Sequence, residues 1–210
     1  MAEVRAVLFD LGGVVVGSPL HAIAAYEREI GVPAGFLNRL VVSTGATGAW
    51  SRLERGEVGM EAFYAAFDAE CGAAGQPAVS ARAMMERIGA AAQPRPRMLA
   101  AIAAIRARGL RTAALTNNWV GEGGDTGTRP MAGIFDAVIE SAVVGLRKPD
   151  PRIYAIALEQ LSVPPAQVVF LDDIGRNLKP ARALGMLTIK VDDEAQALAD
   201  LTHVLGFSLG

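Results

Sequence analysis

The sequence predicts an α/β fold: a Rossmann-like, doubly wound parallel sheet of about five strands, with a helical cap subdomain inserted after the first strand. Three observations support this prediction. An apolar run at residues 5–16 (RAVLFDLGGVVV) presents one acid and then turns on two glycines. Residues 17–93 show helical periodicity without a convincing strand, whereas strands and helices alternate from Pro94 onward. Such alternation is typical of parallel sheets with helices on both faces.

The inserted segment, residues 17–93, is predicted to be helical because apolar residues recur at spacings of three and four. It is too long for a simple crossover between parallel strands, which takes about a dozen residues. We therefore expect it to form a cap on a catalytic core built from residues 1–16 and 94–210. The predicted cap helices are residues 20–30, 47–55, 59–71 and 79–88.

After the cap, prolines and glycines mark the ends of the predicted elements. Pro96 opens a helix that Gly109 ends, and Asp150 is a predicted N-cap for a helix beginning at Pro151. The glycine-rich residues 121–133 predict a mobile surface loop. The predicted strands are residues 111–116, 136–140, 168–171 and 187–191, and further helices end before Gly185 and start near Asp193.

Composition narrows the classes of function. The 210 residues are 51% hydrophobic and carry a formal charge of −2, without the basic blocks typical of nucleic-acid binding. No apolar run approaches the roughly 20 residues of a membrane helix, and Glu3 stands where a secretory signal would be basic. The single cysteine, Cys71, cannot form an internal disulfide, so we expect a cytoplasmic protein. From the charge pattern and the absence of a long apolar run, we expect no nucleic-acid or membrane partner. The sequence does not fix an oligomeric state.

Polar residues lie at the ends of three predicted strands and in one loop. Asp10 follows the first strand, a Thr-Asn-Asn turn at residues 116–118 ends the second, and Asp172 and Asp173 end the fourth. Lys148 lies in the loop after the third strand. Because the carboxyl ends of parallel strands meet at one edge of a sheet, we expect these groups to share a crevice. Each alone also fits an ordinary turn, helix start or solvated loop.

Three carboxylates in one crevice repel each other unless a cation lies among them. Ligands that are all oxygen atoms suit Mg²⁺, which commonly shares its site with a phosphate, and Lys148 would offset the remaining negative charge. A carboxylate nucleophile, a metal, a lysine and small hydrogen-bond donors together favour phosphoryl transfer from a small phosphorylated substrate.

These motifs resemble those of the haloacid dehalogenase-like hydrolases. VLFDLGGV is similar to the first motif of that family, LTNN to the second, LRKPDPRIY to the lysine motif, and VVFLDDIGRNLKPARALGM to the acidic fourth. Order and spacing match across the whole chain, and residues 17–93 resemble the family's cap. Closer in, ESAVVGLRKPDPRIY and FLDDIGRNLKPARALGM resemble the phosphatase-like domain of soluble epoxide hydrolases and the hydrolase-like domain fused to some acyl-CoA dehydrogenases.

The resemblance implies a Mg²⁺-dependent phosphatase and gives each matching residue a role. Asp10 would attack phosphorus and form an aspartyl-phosphate, and Lys148 would neutralise the nucleophile and the phosphate. Thr116 and the Asn117 amide would hold phosphate oxygens.

The resemblance also implies the metal ligands. Asp173 would bind Mg²⁺ directly, together with Asp10 and the Gly12 carbonyl, and Asp172 would act through water. Asn177 would help to order the loop of the fourth motif, although a role as N-cap of the helix containing Pro180 explains this residue equally well.

Gly12 departs from the family pattern, which usually has a second Asp at this position to protonate the leaving group. General acid catalysis of this kind accelerates a reaction by a factor on the order of 10²–10⁴. One interpretation is a phosphatase that acts on a good leaving group or that takes its general acid from another residue. His21 is the one histidine placed to supply that acid. Alternatively, the chain is a catalytically weak phosphoester-binding or regulatory module. A 2-haloacid dehalogenase is disfavoured, since it needs no metal and would not keep Asp172 and Asp173. A Schiff-base phosphonate hydrolase is disfavoured because residues 17–93 lack lysine.

Substrate choice is expected to come from the cap, where Trp50, Arg52 and Arg55 offer an aromatic ring and two cations to a phosphorylated metabolite. The alternative is that Trp50 belongs to the core of the cap and that both arginines are solvated.

Overall fold

The computed structural model describes residues 3–131 and 133–209, so the predicted loop at residues 121–133 is described except for Ala132. Five strands form one sheet: β1 (Ala6–Phe9), β2 (Arg111–Thr116), β3 (Ala137–Glu140), β4 (Val168–Asp172) and β5 (Leu187–Lys190). All neighbouring strands are parallel, in the order β3-β2-β1-β4-β5. The predicted fold class is confirmed, and β1 lies at the centre of the sheet.

Helices fill the connections between the strands. Between β1 and β2 lie α1 (Pro19–Ile30), α2 (Phe36–Thr44), α3 (Ala49–Glu54), α4 (Met60–Ala73), α5 (Ala81–Ala91) and α6 (Pro96–Ala107). The later helices are α7 (Ser141–Val144), α8 (Pro151–Leu161), α9 (Gly175–Ala183) and α10 (Glu194–Leu205). Short 3₁₀ turns occupy Gly45–Thr47, Arg129–Met131 and Pro165–Gln167. No helix within the described ranges is long and apolar enough to cross a membrane.

The helix α2 was not among the predicted elements. Its N-cap is Gly35, which adopts a left-handed conformation (φ 73°) and offers no side-chain cap. It also contains the β-branched pair Val41 and Val42, which favours strands in sequence reasoning. Tertiary packing outweighs this preference, since Leu37 and Leu40 are buried against the other helices of the inserted segment.

The sheet separates two apolar layers, as a doubly wound fold requires. Val7 and Phe9 of β1 face the layer that contains buried residues of α6 and α10. Ala6 and Leu8 face the opposite layer, which is built with α8 and α9. Side chains alternate between the two faces of a strand, so the continuous apolar run of β1 is explained by burial on both sides.

Helices α1–α5 pack around an apolar core of their own, which also includes Trp119 from the segment after β2. The two segments that join them to the sheet run side by side. Gly17 N–H donates to Gln93 O at 3.0 Å, and Arg95 N–H donates to Val15 O at 2.9 Å. Entry and exit of the inserted helices therefore adjoin one another, an arrangement that supports our proposal of a cap on a separate core.

Candidate active site

The carboxyl edge of the sheet brings together the acids that the strand ends predict. Asp10 directly follows β1, and its N–H donates to Leu171 O of the neighbouring β4 at 2.8 Å. Each of Asp10, Asp172 and Asp173 offers a carboxylate oxygen within 4.8 Å of those of the other two. Because β1 and β4 are adjacent, this cluster follows from strand order.

Lys148 is buried between two of these carboxylates. Its Nζ lies 2.8 Å from Asp10 Oδ1 and 2.7 Å from Asp172 Oδ2, and the side chain is 1% exposed. Burial favours the neutral amine, but attraction by Asp10 and Asp172 outweighs it and raises the pKa of Lys148. The lysine therefore stays protonated, and each of its carboxylate contacts is a charge-assisted hydrogen bond.

The site remains short of positive charge. Burial raises the pKa of Asp10 well above its usual range, and the charges of Asp172 and Asp173 add to this effect while Lys148 opposes it. Burial, followed by the charge of Asp172, raises the pKa of Asp173 to about 6. When all are ionised, three carboxylates face one ammonium, so two positive charges are missing. A divalent cation with a preference for oxygen ligands meets this deficit, and Mg²⁺ fits the donor set.

Asp172 is fully buried, and both of its oxygens already have partners. Beside Lys148, it accepts hydrogen bonds from Ile174 N–H at 2.7 Å and from Asn177 Nδ2 at 3.1 Å. Asp172 thus anchors the lysine and the turn that leads into α9. Its expected action on the metal through water stays a prediction.

The prediction of Asn177 as an N-cap is wrong. Helix α9 begins at Gly175 with Ile174 as its N-cap, so Asn177 lies within the first turn and Pro180 inside the helix. The side chain of Asn177 turns back to Asp172, and its carbonyl accepts the Tyr154 hydroxyl at 2.7 Å. This geometry fits the alternative, in which Asn177 orders the loop of the fourth motif.

The side chain of Asn117 holds the backbone of the lysine loop. Its Oδ1 accepts Lys148 N–H at 2.8 Å, and its Nδ2 donates to Lys148 O at 3.1 Å. Because this side chain is already hydrogen-bonded, the main-chain N–H of Asn117 is the group that we expect to contact a phosphate oxygen. Thr116 lies beside it at the end of β2, where its hydroxyl donates to Asn117 O at 3.4 Å.

The two glycines after Asp10 serve different purposes. Gly13 has φ 78°, and a Cβ there would lie 2.1 Å from Asp173 Oδ2, so only glycine allows this acid to approach the turn. At Gly12, a Cβ would lie 3.0–3.1 Å from the Pro19 ring, a contact that needs a small shift. There is little space beside Gly12, but a small side chain would fit after a slight movement of the Pro19 ring.

A pocket lies between the carboxyl edge of the sheet and the inserted helices, with Asp10, Gly12, Lys148 and Asp173 in its wall. It contains about 840 Å³ of empty space, including the part open to solvent. Much of the wall that the inserted helices supply is apolar. These residues include Leu20, Ile23, Leu37, Trp50 and Phe67, and Trp119 from the segment after β2 adds a further apolar side chain to the wall.

An ion pair that the sequence analysis did not single out links α3 to the lysine loop. Glu54 Oε2 accepts Arg147 Nε at 2.5 Å and Asn117 Nδ2 at 3.3 Å, and Glu54 Oε1 accepts Trp50 Nε1 at 2.9 Å. Arg147 also donates to Ser51 Oγ at 2.9 Å. The inserted helices and the loop that positions Lys148 are thus held together through buried polar groups.

Of the other candidate residues in the inserted segment, only Trp50 lies in the pocket wall. His21 is exposed and is not part of the pocket wall. Arg52 and Arg55 pair with Glu57 outside the pocket. Trp50 is 8% exposed and contacts Phe63 and Phe67, so it belongs to the apolar core of the inserted helices as well as to the pocket wall.

Comparisons with known proteins agree with the motifs. A sequence profile of the haloacid dehalogenase-like hydrolases matches residues 4–185. Acyl-CoA dehydrogenase family member 10 of Mus musculus is 39% identical over 207 residues, which cover 98% of this chain and 19% of that protein. Bifunctional epoxide hydrolase 2 of Sus scrofa is 34% identical over 218 residues, covering 98% of this chain and 39% of that protein. The chain thus spans only part of these relatives.

Solved structures share the fold. The L-2-haloacid dehalogenase RSc1362 superposes with a TM-score of 0.68 at 21% identity, covering 98% of this chain and 100% of that one. A haloacid dehalogenase-family enzyme of Bacteroides thetaiotaomicron, in complex with magnesium and inorganic phosphate, gives a TM-score of 0.62 at 18% identity. That match covers 89% of this chain and 93% of the other.

Proposed function

The chain belongs to the haloacid dehalogenase-like hydrolases, and from this membership we propose that it is a Mg²⁺-dependent phosphatase of a small phosphorylated molecule. The observation that carries the proposal is the buried Asp10–Lys148–Asp172 arrangement beside Asp173, at the base of a pocket. It combines a carboxylate nucleophile with a cluster that lacks two positive charges when all three carboxylates are ionised.

Asp10 is the nucleophile in this proposal. Its Oδ1 accepts hydrogen bonds from Lys148 Nζ at 2.8 Å and from Leu11 N–H at 2.7 Å. The second oxygen, Oδ2, makes no hydrogen bond within the described parts of the chain and is the atom that would attack. The new bond joins Oδ2 to phosphorus as the bond from phosphorus to the alcohol oxygen breaks.

Water then attacks phosphorus, which releases inorganic phosphate and restores the Asp10 carboxylate. Mg²⁺, held by Asp173, Asp10 and the Gly12 carbonyl, would neutralise charge on the phosphoryl oxygens. Lys148 holds the nucleophile in place and counters its charge throughout. The Bacteroides enzyme, whose structure contains magnesium and inorganic phosphate, supports this choice of metal and ligand.

The departing alcohol receives no proton from position 12, because Gly12 has no side chain. Esters of acidic alcohols, which leave without a proton, should therefore react faster than alkyl esters. The same glycine supports a second candidate, a catalytically weak phosphoester-binding module.

Phosphate release from p-nitrophenyl phosphate and from a panel of metabolite phosphates, with Mg²⁺ or with EDTA, tests the proposal. We expect turnover that needs Mg²⁺, is lost in Asp10→Ala and persists in Asp192→Ala, a control at an exposed acid. Activity that survives Asp10→Ala would refute the assignment of the nucleophile. Activity that is the same in Mg²⁺ and in EDTA would refute the assignment of the cofactor. Metal-dependent phosphate binding without turnover would favour the binding module. Halide release from 2-chloropropionate would indicate a dehalogenase instead.

A further inference from the structure

One cation in the pocket wall has no assigned partner. The charged lining residues are Asp10, Glu54, Arg147, Lys148, Asp173 and Arg176. Lys148 contacts Asp10 and Asp172, and Arg147 contacts Glu54. Arg176 forms no ion pair with any described residue of the chain.

The position of Arg176 makes this unusual. It is the second residue of α9, partly buried, directly before Asn177, and three residues after Asp173. Its Nε is buried, yet it has no hydrogen-bond partner among residues 3–131 and 133–209. Within these ranges, Glu70 Oε2 is the one other buried side-chain N or O atom without a partner, and Glu70 lies outside the pocket wall.

A buried donor without a partner is costly, and native proteins keep few of them. In a binding pocket, a ligand that accepts the hydrogen bond removes the cost. The guanidinium is planar and always charged, and it binds carboxylates and phosphates through two parallel hydrogen bonds. The natural occupant of this position is therefore an oxyanion.

We propose that Arg176 binds a second oxyanion of the substrate, a carboxylate or a further phosphate, separate from the phosphoryl group that Asp10 attacks. This inference rests on the proposed function, because it places the transferred phosphoryl group at Asp10 and Lys148. That group already has Lys148 and the metal to balance its charge. The apolar wall, which includes Leu20, Trp50 and Trp119, suits a hydrocarbon body between the two anionic ends.

Non-hydrolysable phosphonates test this assignment without requiring turnover. The probes are alkylphosphonates of graded chain length, with partners that carry a terminal carboxylate or a second phosphonate. Calorimetry in Mg²⁺ would give dissociation constants for the wild type, for Arg176→Met and for Arg152→Met. Arg152 is a suitable control because its side chain is 72% exposed and pairs with Asp150.

At the matching chain length, the wild type should bind a doubly anionic probe about tenfold or more tightly than the simple alkylphosphonate, as one charge-assisted contact predicts. Preference for the carboxylate over the second phosphonate, or the reverse, identifies the kind of oxyanion. The gain should vanish in Arg176→Met and persist in Arg152→Met. Equal affinities at every length, or a gain that survives Arg176→Met, would overturn the assignment.

The simple alkylphosphonates, which have one anionic end, distinguish the proposed site from the catalytic one. Their affinity should be the same in Arg176→Met as in the wild type, and a loss that matches the loss of the doubly anionic probes would mean that Arg176 holds the transferred phosphoryl group instead. Turnover of p-nitrophenyl phosphate reports separately on the proposed function. Selective binding without any turnover would leave the oxyanion site standing and remove the phosphatase.

Discussion

Replacement of Lys148 by Met tests the electrostatic design of the site, because it keeps most of the length of the side chain and removes its charge. The ammonium lies 2.8 Å from Asp10 and 2.7 Å from Asp172, and the side chain is 1% exposed. Removal of one partner from a buried ion pair costs about 3–5 kcal/mol of stability. Two buried carboxylates lose the same cation here. We therefore expect Lys148→Met to lower the free energy of unfolding by an amount within this range at pH 8.

The loss should depend on pH. Burial already raises the pKa of Asp10 in the folded protein, with Asp172 and Asp173 adding to it, and Lys148 is the cation that opposes the rise. Without Lys148, the folded-state pKa moves further above the unfolded value of about 3.9. A carboxyl with a raised folded pKa destabilises the fold when ionised and less so when protonated. The deficit of Lys148→Met should therefore shrink as pH falls from 8 to 5.

Urea denaturation in EDTA, followed by circular dichroism at both pH values, measures this effect. Lys179→Met removes an exposed lysine on α9 and serves as the matched control. We expect Lys179→Met to resemble the wild type at both pH values and Lys148→Met to lose phosphatase activity. A deficit of less than about 1 kcal/mol, or one that is the same at pH 8 and pH 5, would refute the reasoning.

Three further predictions follow from the geometry of the chain. Asn117→Ala removes two hydrogen bonds to the Lys148 backbone and should lower kcat about tenfold or more in phosphate-release assays; an unchanged kcat would contradict its positioning role. Gly13→Ala should abolish Mg²⁺-stimulated turnover, whereas Gly109→Ala, with a similar φ of 79° but open space for its Cβ, should keep it; equal behaviour would contradict the close approach of the neighbouring acid. Burial raises the pKa of Cys71 to about 12, so the native thiol should resist alkylation at pH 8 and react only on unfolding; rapid native labelling would contradict this.

The positions of the strands and the residues at their ends are the parts of this molecule that the sequence predicts best. The apolar residues of β1 and β4 are buried on both faces, so the positions of both strands follow from hydrophobicity, although the apolar run at residues 5–16 extends beyond the four residues of β1. Because both strands end at one edge, the meeting of Asp10 with Asp172 and Asp173 also follows from topology.

Contacts between distant segments are the parts that sequence reasoning misses. Glu54 and Arg147 are 93 residues apart, and each looks like an ordinary charged surface residue until α3 packs on the lysine loop. Arg176 likewise follows two acids and fits a solvated helix start, and only the pocket reveals its unpartnered Nε. Asparagine is a residue type that often caps helices, but the side chain of Asn177 is hydrogen-bonded to the buried Asp172 instead.

The central claim, that Asp10 carries the phosphoryl group during turnover, is tested most directly by mass spectrometry of enzyme quenched with acid milliseconds after mixing with p-nitrophenyl phosphate and Mg²⁺. Our account predicts a transient phosphoryl adduct on the peptide containing Asp10, formed in the control Asp192→Ala as in the wild type and absent from Asp10→Ala or in EDTA. Phosphate release without an adduct at Asp10, or an adduct on another residue, would contradict it.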